Sequence, residues 1–254
     1  MAELRAGEAP RPTPGGSPGA LALGPLAEEL ASTALSLARC FAAGATMWCC
    51  SPEWPAHANH VAVEFVHPVI MGKRALPAVM VPGVDVVGSL RPVVRSGDIL
   101  LGVGSAAEKG LEQAMRRGAV WGLRTVWVGF GPRPAPGSAD HLLWLADQDP
   151  LVPFRGRLIL VYHLLWELTH VCFEHPGLLR DADGTDCEDE VCITCSDEGR
   201  VSEVIELGNG QEALVRNANG TERVDLSLVG PAQPGSVVLV HAGTAIAMLE
   251  GPPA

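Results

Sequence analysis

Apolar residues in the first two thirds of the chain follow two patterns that alternate. Short continuous apolar runs are typical of strands buried on both faces of a sheet, and they occur at 45–50, 76–81, 98–105, 123–130 and 139–146. Longer stretches between them carry apolar residues at helical spacing, which predicts helices over 23–44, 53–67, 106–118 and 152–173. This alternation predicts an α/β domain with a parallel sheet and helices on both faces, in flavodoxin-like layers.

The pattern changes near residue 174. Residues 174–190 are polar, acidic and rich in turn residues, which indicates a linker. Beyond them, short strands separated by glycine- or proline-containing turns are predicted at 200–207, 211–217, 221–229 and 236–242. We interpret this part as a small all-β, OB-like barrel that a short helix at 243–250 closes.

These patterns divide the chain into four segments. We predict a disordered arm at 1–21, the α/β domain at 22–175, an acidic linker at 176–190 and the barrel domain at 191–251. A barrel of this size is marginal on its own core. A metal or the neighbouring domain is therefore expected to help hold it.

Composition narrows the classes of function. The 254-residue chain has a net charge of −11 and a pI of about 5.1, without a basic patch. Binding to nucleic acid or to an anionic membrane is therefore not expected. No apolar run reaches the roughly 18 residues of a membrane-spanning helix. The N-terminus also lacks the apolar core of a signal peptide, which predicts a cytoplasmic protein.

A group of thiols lies just before the barrel. Cys187, Cys192 and Cys195 stand among acidic residues, and a CxxC pair in an unexported chain is typical of metal or redox chemistry. Structural zinc usually takes four nitrogen or sulfur ligands, so His241 or His175 is a candidate for the fourth. The acidic neighbours disfavour a thiolate, which argues against a strong reductant. Inert cysteines remain an alternative.

Four segments of the first domain carry a family resemblance. They are NHVAVEF (59–65), RSGDILLGVGSA (95–106), GLRTVWVGF (122–130) and HLLWEL (163–168). In combination they resemble the SIS (sugar isomerase) fold, and in particular the phosphoheptose isomerases of the GmhA type. The resemblance covers roughly residues 22–175.

This resemblance implies a set of site residues. In the family, a histidine and a glutamate four residues later meet a glutamine and a histidine from the last long helix. The histidines and the glutamate match His60, Glu64 and His163, whereas the glutamine position falls on Arg155. Glu64 and His163 are therefore candidate catalytic residues, and His60 is a candidate metal ligand. The i,i+4 spacing places His60 and Glu64 on one helical face, as a shared metal or a proton-transfer pair requires.

The phosphate-binding loops of that family are altered here. Residues 49–57 replace its glycine-rich loop, and residues 102–110 keep only Ser105 of its second loop. Ser105 is the candidate ligand-binding residue, whereas Glu53 and Glu108 are expected to repel an anion. The resemblance thus implies a lost or altered isomerase. Histidines in a plain scaffold, a site for a different small ligand, and sugar-phosphate isomerisation all remain open.

The last part of the chain carries a second resemblance. VLVHAGTAIAML (238–249), the turn before it and a cysteine ahead of the first strand are similar to the HypC/HupF family of nickel–iron hydrogenase maturation chaperones. That family carries an iron fragment with cyanide and carbon monoxide ligands, works with a HypD-type scaffold and delivers iron to the precursor of the hydrogenase large subunit. The resemblance implies ligation by one cysteine and by His241, and it leaves open whether Cys192 or Cys195 takes the family role. We favour Cys192 with Cys195 as co-ligand, and Cys187 is a further candidate. A thiolate suits such soft iron.

The sequence as a whole predicts a carrier rather than an enzyme. A HypC-like barrel is joined to a degenerate SIS domain that serves in dimerisation, in docking of the HypD-like scaffold or the large subunit, or in sensing of a small ligand. A homo-oligomer through the SIS domain is expected by analogy. One alternative is an isomerase or a carbohydrate-derivative-binding protein that uses Glu64 and His163. The other is a zinc- or redox-responsive adaptor through the CxxC pair.

Overall fold

The structure of this protein is a computed structural model that describes residues 26–68, 70, 72–83, 85–145, 154–179 and 199–252. The side chains of Phe154 and Arg155 lie outside this description. None of the helices in the described part of the chain has both the length and the apolar character that crossing a membrane requires.

A parallel five-stranded sheet forms the first part of the protein. Its strands are β1 (Met47–Cys50), β2 (Ala78–Met80), β3 (Ile99–Val103), β4 (Arg124–Phe130) and β5 (His141–Leu145). The helices are α1 (Ala27–Ala42), α2 (Pro55–Val66), α3 (Val86–Leu90), α4 (Lys109–Val120) and α5 (Phe154–Glu174), and a short 3-10 helix follows at Pro176–Leu179. All neighbouring strands are parallel, in the order β2-β1-β3-β4-β5. The predicted α/β class is confirmed.

The sheet separates two apolar cores because side chains alternate along each strand. Ile99 and Leu101 of β3 join the core that contains α1, α2 and α5. Leu100, between them, joins the core that contains α3 and α4. The continuous apolar runs of the sequence therefore reflect strands that are covered on both faces.

Two local features differ from the predicted elements. The short helix α3 was not predicted, because its five residues are too few for a periodic pattern. It begins after Asp85, whose side chain accepts the N–H of Gly88 at 2.8 Å, as an N-cap does. Helix α4 begins at Lys109 rather than at residue 106, since Ala106 and Ala107 form a turn.

The second part of the protein is a closed five-stranded barrel. Its strands are β6 (Arg200–Leu207), β7 (Glu212–Asn217), β8 (Gly220–Asp225), β9 (Val237–His241) and β10 (Thr244–Glu250). They close in the order β10-β8-β7-β6-β9. The interior is filled by small and branched apolar side chains, among them Val204, Val215, Val224, Val238 and Val240. The predicted OB-like barrel is confirmed as a small closed barrel.

The predicted helix at 243–250 is wrong, because Thr244–Glu250 form strand β10. Ala242 and Gly243 both have positive φ angles, 47° and 78°, and they join β9 to β10 in a two-residue hairpin turn that pairs His241 with Thr244. A turn of this kind returns the chain antiparallel, so a strand follows it. Two interruptions of the β9–β10 register break the simple alternation of apolar residues in β10.

Arg117 of α4 and Glu203 of β6 form the centre of the contact between the sheet domain and the barrel. Their exposed fractions are 0% and 2%, and Arg117 Nη1 lies 3.4 Å from Glu203 Oε1. Arg117 also donates to the carbonyl oxygens of Gly235 at 2.6 Å and Gly251 at 3.1 Å, and Trp121 Nε1 donates to Glu203. Burial lowers the pKa of Arg117, whereas Glu203 is among the neighbours that oppose this effect. We call this buried network the seam.

Further contacts extend the seam on both sides. Arg216 of β7 donates to the carbonyl oxygen of Val94 at 3.0 Å, and the Ser96 hydroxyl donates to that of Ala218 at 2.6 Å. Val237 of β9 belongs to the apolar core around α3 and α4. The sheet domain thus supplies packing that a barrel of this size needs for stability.

Candidate functional site

The strand connections of the sheet change direction between β1 and β3, which is where open parallel sheets form a crevice. β1 pairs with both β2 and β3, so the chain leaves β1 toward one side and β3 toward the other. In open parallel sheets, ligands bind at the carboxyl ends of the strands at such a point. The loop 51–54 leads from β1 into α2 there, and the loop 104–108 leads from β3 into α4.

Three of the candidate residues meet between α2 and α5. The Nε2 atoms of His60 and His163 lie 3.2 Å apart. Glu64 Oε1 lies 3.3 Å from His60 Nε2 and 3.6 Å from His163 Nε2. The side chains of His60, Glu64 and His163 are 38%, 21% and 42% exposed, so a solute can reach them. The structure therefore places these three candidates in one cluster, which we call the triad.

The spacing of the triad fits a metal ion. For a tetrahedral ion with ligand bonds of 2.0–2.1 Å, neighbouring ligand atoms lie about 3.3 Å apart. The three measured separations, 3.2, 3.3 and 3.6 Å, are close to that value. Two imidazoles and one carboxylate are also a ligand set that zinc accepts with an open fourth position. Arg155, which stands where the resembled family has its glutamine, has a side chain outside the described part of the chain.

Tyr162 contacts the ring nitrogen of His60 that is not part of the triad contacts. Its hydroxyl lies 2.9 Å from His60 Nδ1 and 3.4 Å from His57 Nδ1. Burial, and next the charge of Glu64, raises the pKa of Tyr162 to about 12, so the phenol stays neutral. With His60 donating its Nδ1 proton to the phenol oxygen, Nε2 keeps the lone pair that a metal or an acidic proton needs.

The sequence did not single out Tyr162 or Glu108. Tyr162 precedes His163 and is the only tyrosine in the chain, which is the one signal that it offers. Glu108 was noted only as a charge in the altered loop. Its contacts join residues on two loops, and such contacts cannot be read from sequence spacing.

Ser105 lies in the loop after β3, and its polar groups have internal partners. Its backbone N–H donates to Glu108 Oε1 at 2.9 Å, and its hydroxyl accepts the N–H of Ala107 at 3.2 Å. The Glu108 side chain therefore competes with any ligand for Ser105. The role of Ser105 in ligand binding stays a prediction that these contacts do not favour.

His241 stands at the end of β9, half-buried, beside the strained turn residue Ala242. An alanine at positive φ is uncommon, and such strain often occurs at functional positions. The pairing of Arg200 with Val240 places the start of β6 next to His241. The chain therefore enters the barrel beside this histidine.

The thiol candidates Cys187, Cys192 and Cys195 lie outside the described residues. Four cysteines of the sheet domain are described. Cys49, Cys50 and Cys172 are buried, and Cys40 is half-buried. Burial, with a smaller contribution from Glu108, raises the pKa of Cys50 to about 12. These four thiols fit the predicted role of core residues.

Comparisons with known proteins agree with the division into two parts. The sheet domain is similar in fold to a phosphoheptose isomerase from Francisella tularensis, at 15% identity and a TM-score of 0.50 over 57% of this chain and 86% of that chain. A second structure, phosphoheptose isomerase GmhA from Neisseria gonorrhoeae, is 17% identical over the same shares with a TM-score of 0.48. At such identities the likeness concerns the fold alone. No curated protein matches the chain.

The barrel matches a family model in addition to having a recognisable fold. Residues 199–252, which span all five barrel strands, match the model of the HupF/HypC family. Both predicted resemblances are thereby confirmed, an SIS-type fold followed by a HupF/HypC-type barrel. At the level of the family, the match supports a role in hydrogenase maturation.

Proposed function

We propose that this protein is an accessory chaperone of nickel–iron hydrogenase maturation, whose barrel holds an iron fragment with cyanide and carbon monoxide ligands and passes it on. The observation that carries the proposal is the HupF/HypC match over the whole barrel. The barrel offers a rigid support, and His241 lies at its rim.

The proposed ligands of the iron fragment are Cys192 and His241, with Cys195 as co-ligand and Cys187 as a further candidate. Cys195 precedes Gly199 by four residues and Cys192 precedes it by seven, which limits their distances from Gly199 to about 14 Å and about 25 Å. This covalent link supports the proposal that the pair acts together with His241. Thiolate and imidazole together suit low-spin iron with π-acceptor ligands.

The partners follow from the same proposal. A HypD-like scaffold would supply the fragment, and the precursor of the hydrogenase large subunit would receive it, in the cytoplasm. We further propose that the sheet domain forms a homo-oligomer and serves in dimerisation, docking or ligand sensing. In this account the protein is a carrier, and it needs no catalytic step of its own.

A maturation assay tests this function. A host that makes the hydrogenase but lacks this protein should accumulate inactive large-subunit precursor, and the native chain should restore active enzyme. Cys192→Ala and His241→Ala chains should fail to restore it, whereas His67→Ala, an exposed histidine outside the barrel and outside the triad, should succeed. Restoration by the Cys192→Ala, Cys195→Ala double variant would contradict the proposal. Stoichiometric zinc on those thiols, together with such restoration, would favour the adaptor alternative.

The triad supports a second candidate function. Its spacing fits a zinc-type ion, and Glu64 and His163 are placed to exchange protons with a bound carbohydrate derivative. The ion would polarise a carbonyl oxygen, while Glu64 would accept or return a proton at the neighbouring carbon. Turnover of sedoheptulose 7-phosphate by the native chain, lost in Glu64→Gln, would establish an isomerase. No turnover, with one zinc lost on Glu64→Gln, would leave a binding site without that activity.

A further inference from the structure

The carboxylate of Glu108 is buried where the loop after β3 enters α4, and neither proposed function uses it. The residue is 6% exposed. One oxygen, Oε1, accepts the Ser105 N–H at 2.9 Å. The other, Oε2, has no hydrogen-bond partner among the described residues. Burial of a carboxylate with one unpaired oxygen lowers the free energy of unfolding.

Glu108 connects the two loops that border the crevice. Besides accepting the Ser105 N–H of the β3 loop, its carboxylate lies close enough to Glu53 of the β1 loop for the charge of Glu53 to help raise the pKa of Glu108. Gly104 makes room for it, because a Cβ at that glycine would lie 2.4 Å from Glu108 Oε1. The carboxylate therefore fills the gap between the carboxyl ends of β1 and β3.

Parallel sheets commonly bind anions at this position. We call the gap between the carboxyl ends of β1 and β3 the anion seat. Backbone N–H groups of the loops after adjacent strands, next to the start of a helix, hold phosphate groups in many α/β proteins. Here the N–H of Ser105, which is a group of this kind, already donates to the carboxylate of Glu108. The side chain of Glu53 adds a second negative charge near Glu108.

We propose that Glu108 is a built-in occupant of this anion seat, so that the crevice excludes phosphorylated ligands and takes an uncharged or cationic ligand. An incoming phosphate would have to displace the carboxylate from the Ser105 N–H and then lie beside Glu53. A hydroxyl or an ammonium group entering the crevice would instead be attracted by this carboxylate, whose Oε2 is buried and has no partner among the described residues. This inference does not depend on iron carriage by the barrel, and turnover of sedoheptulose 7-phosphate by the native chain would contradict it.

The experiment is a titration of the full chain with inorganic phosphate, in which calorimetry and the shift of the thermal unfolding midpoint report binding. Glu108→Ala empties the seat and should bind phosphate at least about tenfold more tightly than the native chain, a gain of about 1.4 kcal/mol. Glu108→Ser is the second emptied variant and should behave alike. Both keep the backbone bonds through which residue 108 starts α4.

Two control variants separate the seat from general charge effects. Glu112→Ala removes one carboxylate from the first turn of the same helix and should leave phosphate binding as weak as in the native chain. Glu108→Gln removes the charge but keeps the side chain in place, and it should gain little. Equal gains in Glu112→Ala or Glu108→Gln would overturn the proposal. Folded Ala and Ser variants without a gain, or tight phosphate binding by the native chain, would also overturn it.

Discussion

The sheet domain and the barrel show two different relations between sequence and chemistry. The sheet domain shares only 15% of its residues with an isomerase of similar fold, yet it assembles a metal-sized triad and fills its own anion seat. The barrel matches a family model along all five strands, yet its described part supplies only one proposed iron ligand, His241. The function proposed for the sheet domain therefore depends on the geometry of its side chains, and the function proposed for the barrel depends on sequence similarity.

The seam joins these two parts and gives the comparison a physical test. If the barrel were an independent carrier on a tether, the seam would contribute little to stability. Arg117 and Glu203 are buried and have five further partners, which indicates instead that the barrel folds against α4. These partners are the carbonyl oxygens of Gly235 and Gly251 and the side chains of Trp121, Arg91 and Glu250.

The largest predicted effect is on the seam. Arg117→Met breaks a buried ion pair and leaves Glu203 with Arg91 as its remaining ion-pair partner among the described residues. Breaking a buried pair costs about 3–5 kcal/mol, and the contact with Arg91 puts the expected loss at the lower end of that range. The free energy of unfolding from denaturant titration should fall by that amount. The adjacent, exposed Arg116→Met is the matched control and should change it by less than about 0.5 kcal/mol. Equal effects of the two substitutions would show that the barrel is not held at this contact.

The second prediction concerns the triad. Tyr162→Phe removes the hydrogen-bond partner of His60 Nδ1, and loss of such a partner weakens zinc binding about 10- to 100-fold. Zinc affinity should be measured in a chain with Cys187, Cys192 and Cys195 replaced by alanine, so that these thiols do not contribute. His67→Gln, outside the triad, should leave the affinity unchanged. Unchanged affinity in Tyr162→Phe would exclude the orienting role of Tyr162.

The third prediction is a pH dependence at Glu108. Burial raises its pKa above the ordinary value of 4.5, so the folded chain binds this proton more readily than the unfolded chain. Stability contributed by the protonated form is present below pH 4.5 and is lost as pH rises through the folded pKa. Glu108→Gln has no such loss, so it should gain stability relative to the native chain as pH rises. Parallel stability curves for the two chains between pH 4 and 8 would contradict this.

The smallest predicted effect is at the barrel turn. Ala242 adopts a positive φ of 47° before Gly243, and Asn-Gly is the preferred pair in such two-residue turns. Ala242→Asn should therefore raise the free energy of unfolding by about 0.5–1 kcal/mol. Ala135→Asn, at an exposed loop alanine without a positive φ, is the matched control and should not stabilise. A destabilised Ala242→Asn chain would mean that the turn is needed in another form.

Much of the fold could be predicted from the pattern of apolar residues, because the sheet strands other than the short β2 are mostly buried runs of four to seven residues. Helix α3 was missed since it is short, and β10 was misassigned because register shifts obscure its alternation. His60, Glu64 and His163 were found through a resemblance. Tyr162 and the seam were not, since they depend on contacts between residues far apart in the chain. Glu108 bonds Ser105, only three residues away, but the burial of its carboxylate cannot be read from the sequence.

The central claim is that iron is held at the barrel and not at the triad, and infrared spectroscopy tests it most directly. The chain should be purified anaerobically from cells that express the hydrogenase assembly machinery. Bands in the cyanide and carbonyl stretching region should be present in the native chain and in a His60→Ala, Glu64→Gln, His163→Ala variant. They should be lost in Cys192→Ala and in His241→Ala. Bands lost only with the triad, or no bands in the native chain, would contradict the account.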